Sequence, residues 1–236
     1  MKNQHFGDRN DFFKYDLSLS LIEQIDELRG FTFVPMLTPD VGSGDGTPTH
    51  YAVLGSHRPA LYQYLKTCVA DPARRRVASL KHFMSRHEPK VRYREHGETA
   101  YLTDGTRAAY FGGIPQLQMK ASVILVDPDN GFEVKSTSRA TEHKYLRYSE
   151  LADLYRAMGR NSVLLASQHW PGIARQQAFD HAAFEIAERL PDAQRTVCIS
   201  SGAIGLFAIA KNDDVLSDTR CAFERYASSR GFTTYA

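Results

Sequence analysis

The chain has 236 residues, 42% hydrophobic and 24% charged, a globular composition that can bury one substantial core and excludes a disordered or fibrous chain. Its 29 Lys and Arg against 27 Asp and Glu leave a net charge of +2, so charge alone establishes no polyanionic partner and only local clusters can argue for one. The widely spaced Cys68, Cys198 and Cys221 argue against a disulfide framework or structural zinc, and the charged N-terminus with no apolar stretch of about 18 residues leads us to expect a soluble, cytoplasmic protein with no membrane partner.

In chain order, Phe6 to Tyr15 is dense in aromatic and charged residues and leads into Leu17, Leu21, Ile25 and Leu28 at helical spacing. Asp8, Asn10 and Asp11 are candidate caps and Gly30 a stop, which predicts a first helix from about Asp11 to Arg29. Asp11 and Lys14, three apart, share a face of it; a solvated ion pair has the same spacing. Gly30–Leu37 reads as a strand, with Pro35 pointing to an edge position or a bulge. It empties into a loop with Asp40, Gly42, Gly44 and Gly46, a composition that lets backbone approach a ligand closely, although it is neither a dinucleotide fingerprint nor a P-loop, and a plain flexible loop reads the same.

His57–Val69 and Arg74–Arg86 read as amphipathic helices separated by Asp71-Pro72. The second is basic: Arg74, Arg75 and Arg76 are candidate phosphate contacts, with a solvated helix face as the plain alternative. Lys90–Glu95 and Thr99–Leu102 alternate as strands around Gly97. Val123–Val126 is bulky without polar alternation, as in a strand buried on both faces, and Asp127 stands at its carboxyl end with Pro128, Asp129, Asn130 and Gly131. Ligands of open α/β sheets bind outside the carboxyl ends of the strands, so Asp127, Asp129 and Asn130 are candidate catalytic residues; the same residue types also make a plain turn. A polar loop from Glu133 to Tyr145 carries Lys135.

A helix from Ser149 to Met158, capped by Ser149, precedes a buried strand over Ser162–Ser167, which implies a parallel crossover. Gln168, His169 and Trp170 follow it, making His169 a candidate acid, base or ligand, or a packed structural histidine. After a helix from Ile173 to Leu190, the runs Thr196–Ser200 and Ile204–Ala210 are joined by three residues, too few for a parallel crossover, and form an antiparallel hairpin.

A parallel α/β sheet ending in such a hairpin resembles the class I S-adenosylmethionine-dependent methyltransferase fold. Within it the chain is similar to the large-subunit ribosomal RNA adenine-N6 methyltransferases, on the pattern Gly7…Asp11-Phe-Phe-Lys14-Tyr15, the strand and glycine-rich loop over Leu37–Gly46, the helical insertion and the acidic strand-end motif. The resemblance covers roughly residues 5–211. It implies one Rossmann-like domain over 1–236 with a mostly parallel sheet, helices on both faces and an inserted subdomain over 57–115. It also implies S-adenosylmethionine held by Lys14 and the Asp40–Gly46 loop, and a nucleic-acid substrate. The chain departs from the family in two places. The family's Asp-Pro-Pro-Tyr is Asp127-Pro128-Asp129-Asn130 here, and an acidic residue for the cofactor ribose, at the end of a second strand, is not identifiable from sequence. The alternative is a metal-dependent nuclease or phosphoesterase, with Asp127, Asp129 and Glu133 as magnesium ligands and Lys135 facing a phosphate.

Overall fold

The computed structural model of the protein describes residues 1–40, 49–97, 101–135, 137–138, 140–170, 174–193 and 195–236. The Asp8 side chain accepts the Asp11 amide and so starts helix α1 (Arg9–Gln24) two residues before the expected Asp11. The helix also stops short of the expected Arg29, because the chain turns extended at Ile25 and closes a turn from Leu28 N to Ile25 O before strand β1 (Gly30–Pro35). Helices α2 (Ala52–Gly55), α3 (Pro59–Ala70) and α4 (Leu80–His87) follow, then β2 (Arg92–Glu95) and α5 (Asp104–Gly112).

The basic helix expected over Arg74–Arg86 therefore begins only at Leu80. Arg74 and Arg75 instead donate their amides to Asp71 O, and the Asp71 side chain accepts from Ala73 N, so an Asx-type turn claims the backbone a helix would need. The strand expected at Thr99–Leu102 is absent at its described end, where Leu102 N donates to Leu37 O; residues 98–100 lie outside the described residues. α5 had no counterpart among the predicted elements, although Thr103 and Thr106 form a capping box at its start.

Next come β3 (Ser122–Asp127), the short β4 (Gly131–Phe132) and β5 (Tyr145–Leu146), and α6 (Tyr148–Ala157). The cap of α6 is Arg147, whose amide donates to Glu150, and not Ser149. β6 (Val163–His169) runs two residues further than expected because Gln168 and His169 pair with β8. The chain closes with α7 (Arg175–Arg189), β7 (Val197–Ser200), β8 (Ile204–Ala210), α8 (Asp213–Arg230) and β9 (Thr233–Tyr235).

These elements make a mixed α/β fold, a central sheet of order β2-β1-β3-β6-β8-β7-β9 flanked by helices. The pairings β1 with β2, β1 with β3 and β3 with β6 are parallel; β6 with β8, β8 with β7 and β7 with β9 are antiparallel. The expected hairpin is present as β7 and β8, and β9 extends the antiparallel side. Pro35 sits inside the sheet rather than at its edge. That position tolerates a residue without an N–H because β2 ends opposite Phe33, leaving no partner strand beside Pro35 on that side.

Alternate strand residues feed two cores. Phe31, Phe33, Val123, Leu125, Val163 and Leu165 pack against α1, α3, α4 and α8, while Val34, Ile124, Val126, Leu164 and Ala166 pack against α5, α6 and α7. α1 is buried at every residue from Asn10 to Leu21, polar ones included. One of these, Asp16, is 0% exposed; its Oδ1 accepts from Arg58 Nε at 2.7 Å, and its Oδ2 from Tyr226 Oη at 2.8 Å and Arg230 at 3.0 Å. It thereby ties α1 to the start of α3 and the end of α8. Among the described residues no helix is long and apolar enough to cross a membrane.

Replacing Asp16 with Ala removes the counterion of Arg230 and the most buried of the three carboxylates facing Arg58, and we expect a loss of about 3 kcal/mol in urea denaturation. A loss below about 1 kcal/mol would place this cluster with ordinary surface ion pairs.

Candidate functional site

β1 and β3 are adjacent and parallel, but β1 leads on through α2–α4 to β2 on one side, whereas β3 leads through α6 to β6 on the other. The connections thus diverge between β1 and β3, the kind of position where open α/β sheets leave a crevice. A cavity of about 490 Å3 opens at the carboxyl ends of β3 and β6. Its walls come from the N-terminal segment and the first turns of α1 (Lys2, His5, Asp8, Asn10, Asp11, Lys14), from the Asp127–Asn130 turn with Phe132, and from Ser167, Gln168 and His169.

At its centre the Lys14 ammonium lies 2.7 Å from Asp11 Oδ1 and 2.7 Å from Asp127 Oδ2. Ser167 Oγ donates to Asp127 Oδ1 at 2.6 Å, and Gly7 N donates to Asp11 Oδ2 at 3.2 Å. Asp11, Lys14 and Asp127 are 2%, 6% and 2% exposed, so the pair seen in the sequence is buried and not solvated. Burial raises the Asp11 carboxyl to about 7, with Asp8 and Asp127 adding to the rise and Lys14 opposing it. Burial also works against Asp127, yet Lys14 and the Ser167 hydroxyl more than offset it and hold this carboxyl below its ordinary value. Asp8 beside Asp11 and the Met1 ammonium and Ser167 hydroxyl beside Asp127 explain why the proton prefers Asp11. Lys14, which burial alone would discharge, is kept charged by Asp11 and Asp127.

The turn after Asp127 is fixed on three sides. Lys2 Nζ lies 3.0 Å from Asp129, Asn130 N donates to Lys144 O, and His169 N donates to Asn130 O at 3.3 Å. Against the cost of burial, the neighbouring Met1 ammonium and Lys2 lower Asp129 to about 2. Gly131 has φ +118°, and a Cβ there would overlap the Gln168 side chain, whose Oε1 accepts from Phe132 N. The His169 ring is open to the cavity, while Trp170 packs separately against Phe207 and Tyr235 and donates to Ser200 Oγ. The protein mass around the imidazole, and then Lys14, lower its pKa, which favours a neutral ring at pH 7.

Of the residues singled out in the sequence, Lys14, Asp127, Asp129, Asn130 and His169 meet in this cleft. Asp40 is exposed and accepts from Gln4 N at 3.0 Å, outside the cavity wall; Gly42, Gly44 and Gly46 lie outside the described residues. Lys135 is exposed and off the wall, and Glu133 accepts from Tyr148 N, so neither joins Asp127. Among the described residues no group of three or more His, Cys, Asp or Glu could hold a metal ion. Arg74 and Arg76 are exposed, and Arg75 donates to Phe6 O, one residue from the wall residue His5. Asp8, Asp11, His5, Ser167 and Gln168 were not recognised as site residues. The local signals for Asp11 were its three-residue spacing from Lys14 and its place in the Gly7…Asp11-Phe-Phe-Lys14-Tyr15 pattern, whereas the partner that gives the pair its meaning is 113 residues away.

No family model matches the chain, and comparison with curated proteins and with solved structures yields no significant match.

Removing the cation with Lys14→Met leaves two buried carboxylates facing each other, and we expect a loss of about 3–5 kcal/mol. The sign with pH follows from linkage. A carboxyl whose folded pKa is raised binds a proton that the unfolded chain has already lost, so stability falls as pH rises from about 4 through the raised value. Urea denaturation at pH 5 and pH 8 should therefore show a larger deficit for the variant at pH 8. An equal deficit at both would mean that Asp11 and Asp127 do not sense one another.

Proposed function

We propose that the protein is an S-adenosylmethionine-dependent methyltransferase-like enzyme acting on nucleic acid. The observation that carries this reading is the meeting of Lys14 and Asp127 at 2.7 Å in the cavity at the carboxyl ends of β3 and β6. These are the two motifs, helix and strand end, on which the resemblance to the adenine-N6 methyltransferases rests. The antiparallel β8 inserted between β6 and β7 supports the Rossmann-like form of this reading, as does the parallel run of β2, β1, β3 and β6. Glu95, the last residue of β2 beside β1, is a carboxylate of the kind the resemblance requires for a cofactor ribose. The sequence concealed it because α2, α3 and α4 separate its strand from β1.

The chemistry asked of the cleft is positioning and electrostatics. Asp127 is ionised and held rigidly by Lys14 and Ser167, a suitable neighbour for an exocyclic amine turning toward a methyl sulfonium. Asn130 carries an amide where the family has an aromatic ring, so the substrate would be oriented there by hydrogen bonds instead of stacking. His169, neutral and open to the cavity, is within the same wall. The bound cofactor would supply the methyl group. The turn with Arg74, Arg75 and Arg76 stands beside His5 at the edge of the cleft, a position from which it could hold the phosphates of a strand whose base enters.

Calorimetric titration with S-adenosylmethionine, and separately with magnesium, tests the reading. Heat with the first supports it; heat with magnesium alone would move it to phosphoester hydrolysis. Asp127→Asn should abolish methyl transfer with a nearly unchanged melting temperature, since Lys14 retains Asp11 as its counterion. Parental turnover of that variant would remove Asp127 from the reaction. Replacing Arg74, Arg75 and Arg76 with Ala should weaken single-stranded nucleic-acid binding and reduce the slope of log K against log salt by roughly 2, for three lost phosphate contacts. An unchanged slope would make the turn a solvated surface.

A further inference from the structure

The charges on the cavity wall do not balance. Lys2 is paired with Asp129, Asp8 is engaged with the Asp11 amide at the start of α1, and the Lys14 ammonium serves both Asp11 and Asp127 at 2.7 Å each. With both carboxyls ionised this buried triad carries one negative charge in excess, which a site of such low exposure holds only at a high free-energy cost. The other groups facing it do not make up the deficit. On α1 itself Asp11 faces Asp8, Lys14 and Tyr15, whose phenol is raised well above its ordinary value by burial and then by Asp11 and so stays neutral. The Tyr51 hydroxyl ahead of α2 donates to Gly7 O and is raised by burial and then by Asp11, so it stays neutral. His169 from β6 and His5 from the N-terminal segment are both lowered, burial first, and the Met1 amine is lowered to about 6 by burial.

Resting on the methyltransferase reading, we propose that the cleft selects a ligand whose sulfur bears a positive charge, a sulfonium, and takes it up in exchange for a proton held by the Asp11–Lys14–Asp127 triad. In the empty protein the proton supplies the missing charge. When a cation enters the 490 Å3 cavity that all three side chains line, the carboxyl gives its proton to solvent and the ionised pair faces the cation across Lys14. The rise of Asp11 to about 7 sets where this exchange is felt. Binding then prefers the sulfonium cofactor over its thioether product, whose sulfur carries no charge. That preference fades below neutrality, where the proton is harder to displace.

The test compares S-adenosylmethionine, a sulfonium, with S-adenosylhomocysteine, a thioether that shares its amine and carboxylate. Calorimetry in two buffers of unlike ionisation enthalpy counts the protons released. The sulfonium should release about half a proton more than the thioether at pH 7, and its affinity relative to the thioether should rise several-fold, toward tenfold, between pH 5.5 and 6.5 before levelling above pH 7.5. Asp11→Asn should abolish both differences, and if that variant does not fold, the two ligands on the parent protein decide alone. Equal proton release and equal pH dependence would overturn the proposal while leaving the methyltransferase reading in place. A folded Asp11→Asn protein that still releases the extra proton would overturn the role of the triad. Absence of binding by either ligand at millimolar concentration would overturn the function and this inference with it.

Discussion

One ammonium shared by two carboxylates decides how the first helix sits in the protein. Lys14 projects from a helix buried on every side, and a lone cation there would have to discharge or find partners. It finds one partner three residues earlier and another at the end of β3, so the helix has a single rotation and a single depth at which its polar side chains are satisfied. The core around α1 supplies most of the burial, through Phe12, Phe13, Tyr15 and Leu17. Apolar contacts of that kind tolerate small shifts; an ion triad with 2.7 Å contacts does not. The positioning of the cleft wall is therefore a by-product of the charge arrangement.

The same logic explains why the far side of α1 carries Asp16. Between Asn10 and Leu21 the helix, enclosed by α3, α8 and the sheet, has no solvent face on which to place its charges, so each must meet a buried partner. Asp11 and Lys14 look toward the cleft, and Asp16 looks toward Arg58, Tyr226 and Arg230. Buried ion pairs of this sort add little net stability over an apolar core but penalise every alternative docking of the helix.

What the sequence made legible follows from the range of the interactions concerned. β3 with its strand-end Asp127, the crossover to β6 and the β7–β8 hairpin were readable because apolar runs and short links are local signals. The start of α4 was misread because arginines fit a helix well, while the deciding hydrogen bonds belong to Asp71, a residue that looked like a mere separator. α8 drew no prediction at all, although Asn212 caps it and Gly231, at φ +68°, ends it. The site was half visible. Asp127, Asp129, Asn130 and His169 could be placed by strand-end position, but Asp11 looked like one member of a surface pair until the fold brought Asp127 to it.

The bonds from Asp16 to Tyr226 and Arg230 span 210 and 214 residues. In a chain synthesised from its amino terminus, α1 is therefore made more than two hundred residues before two of the partners of its Asp16. Until then Asp16 has Arg58 but neither of its partners from α8, and the closing of so long a loop makes that docking slow relative to the local helices. A product lacking α8 would hold the strands and the Asp127 turn but would lose two of the three groups that fix Asp16 of α1.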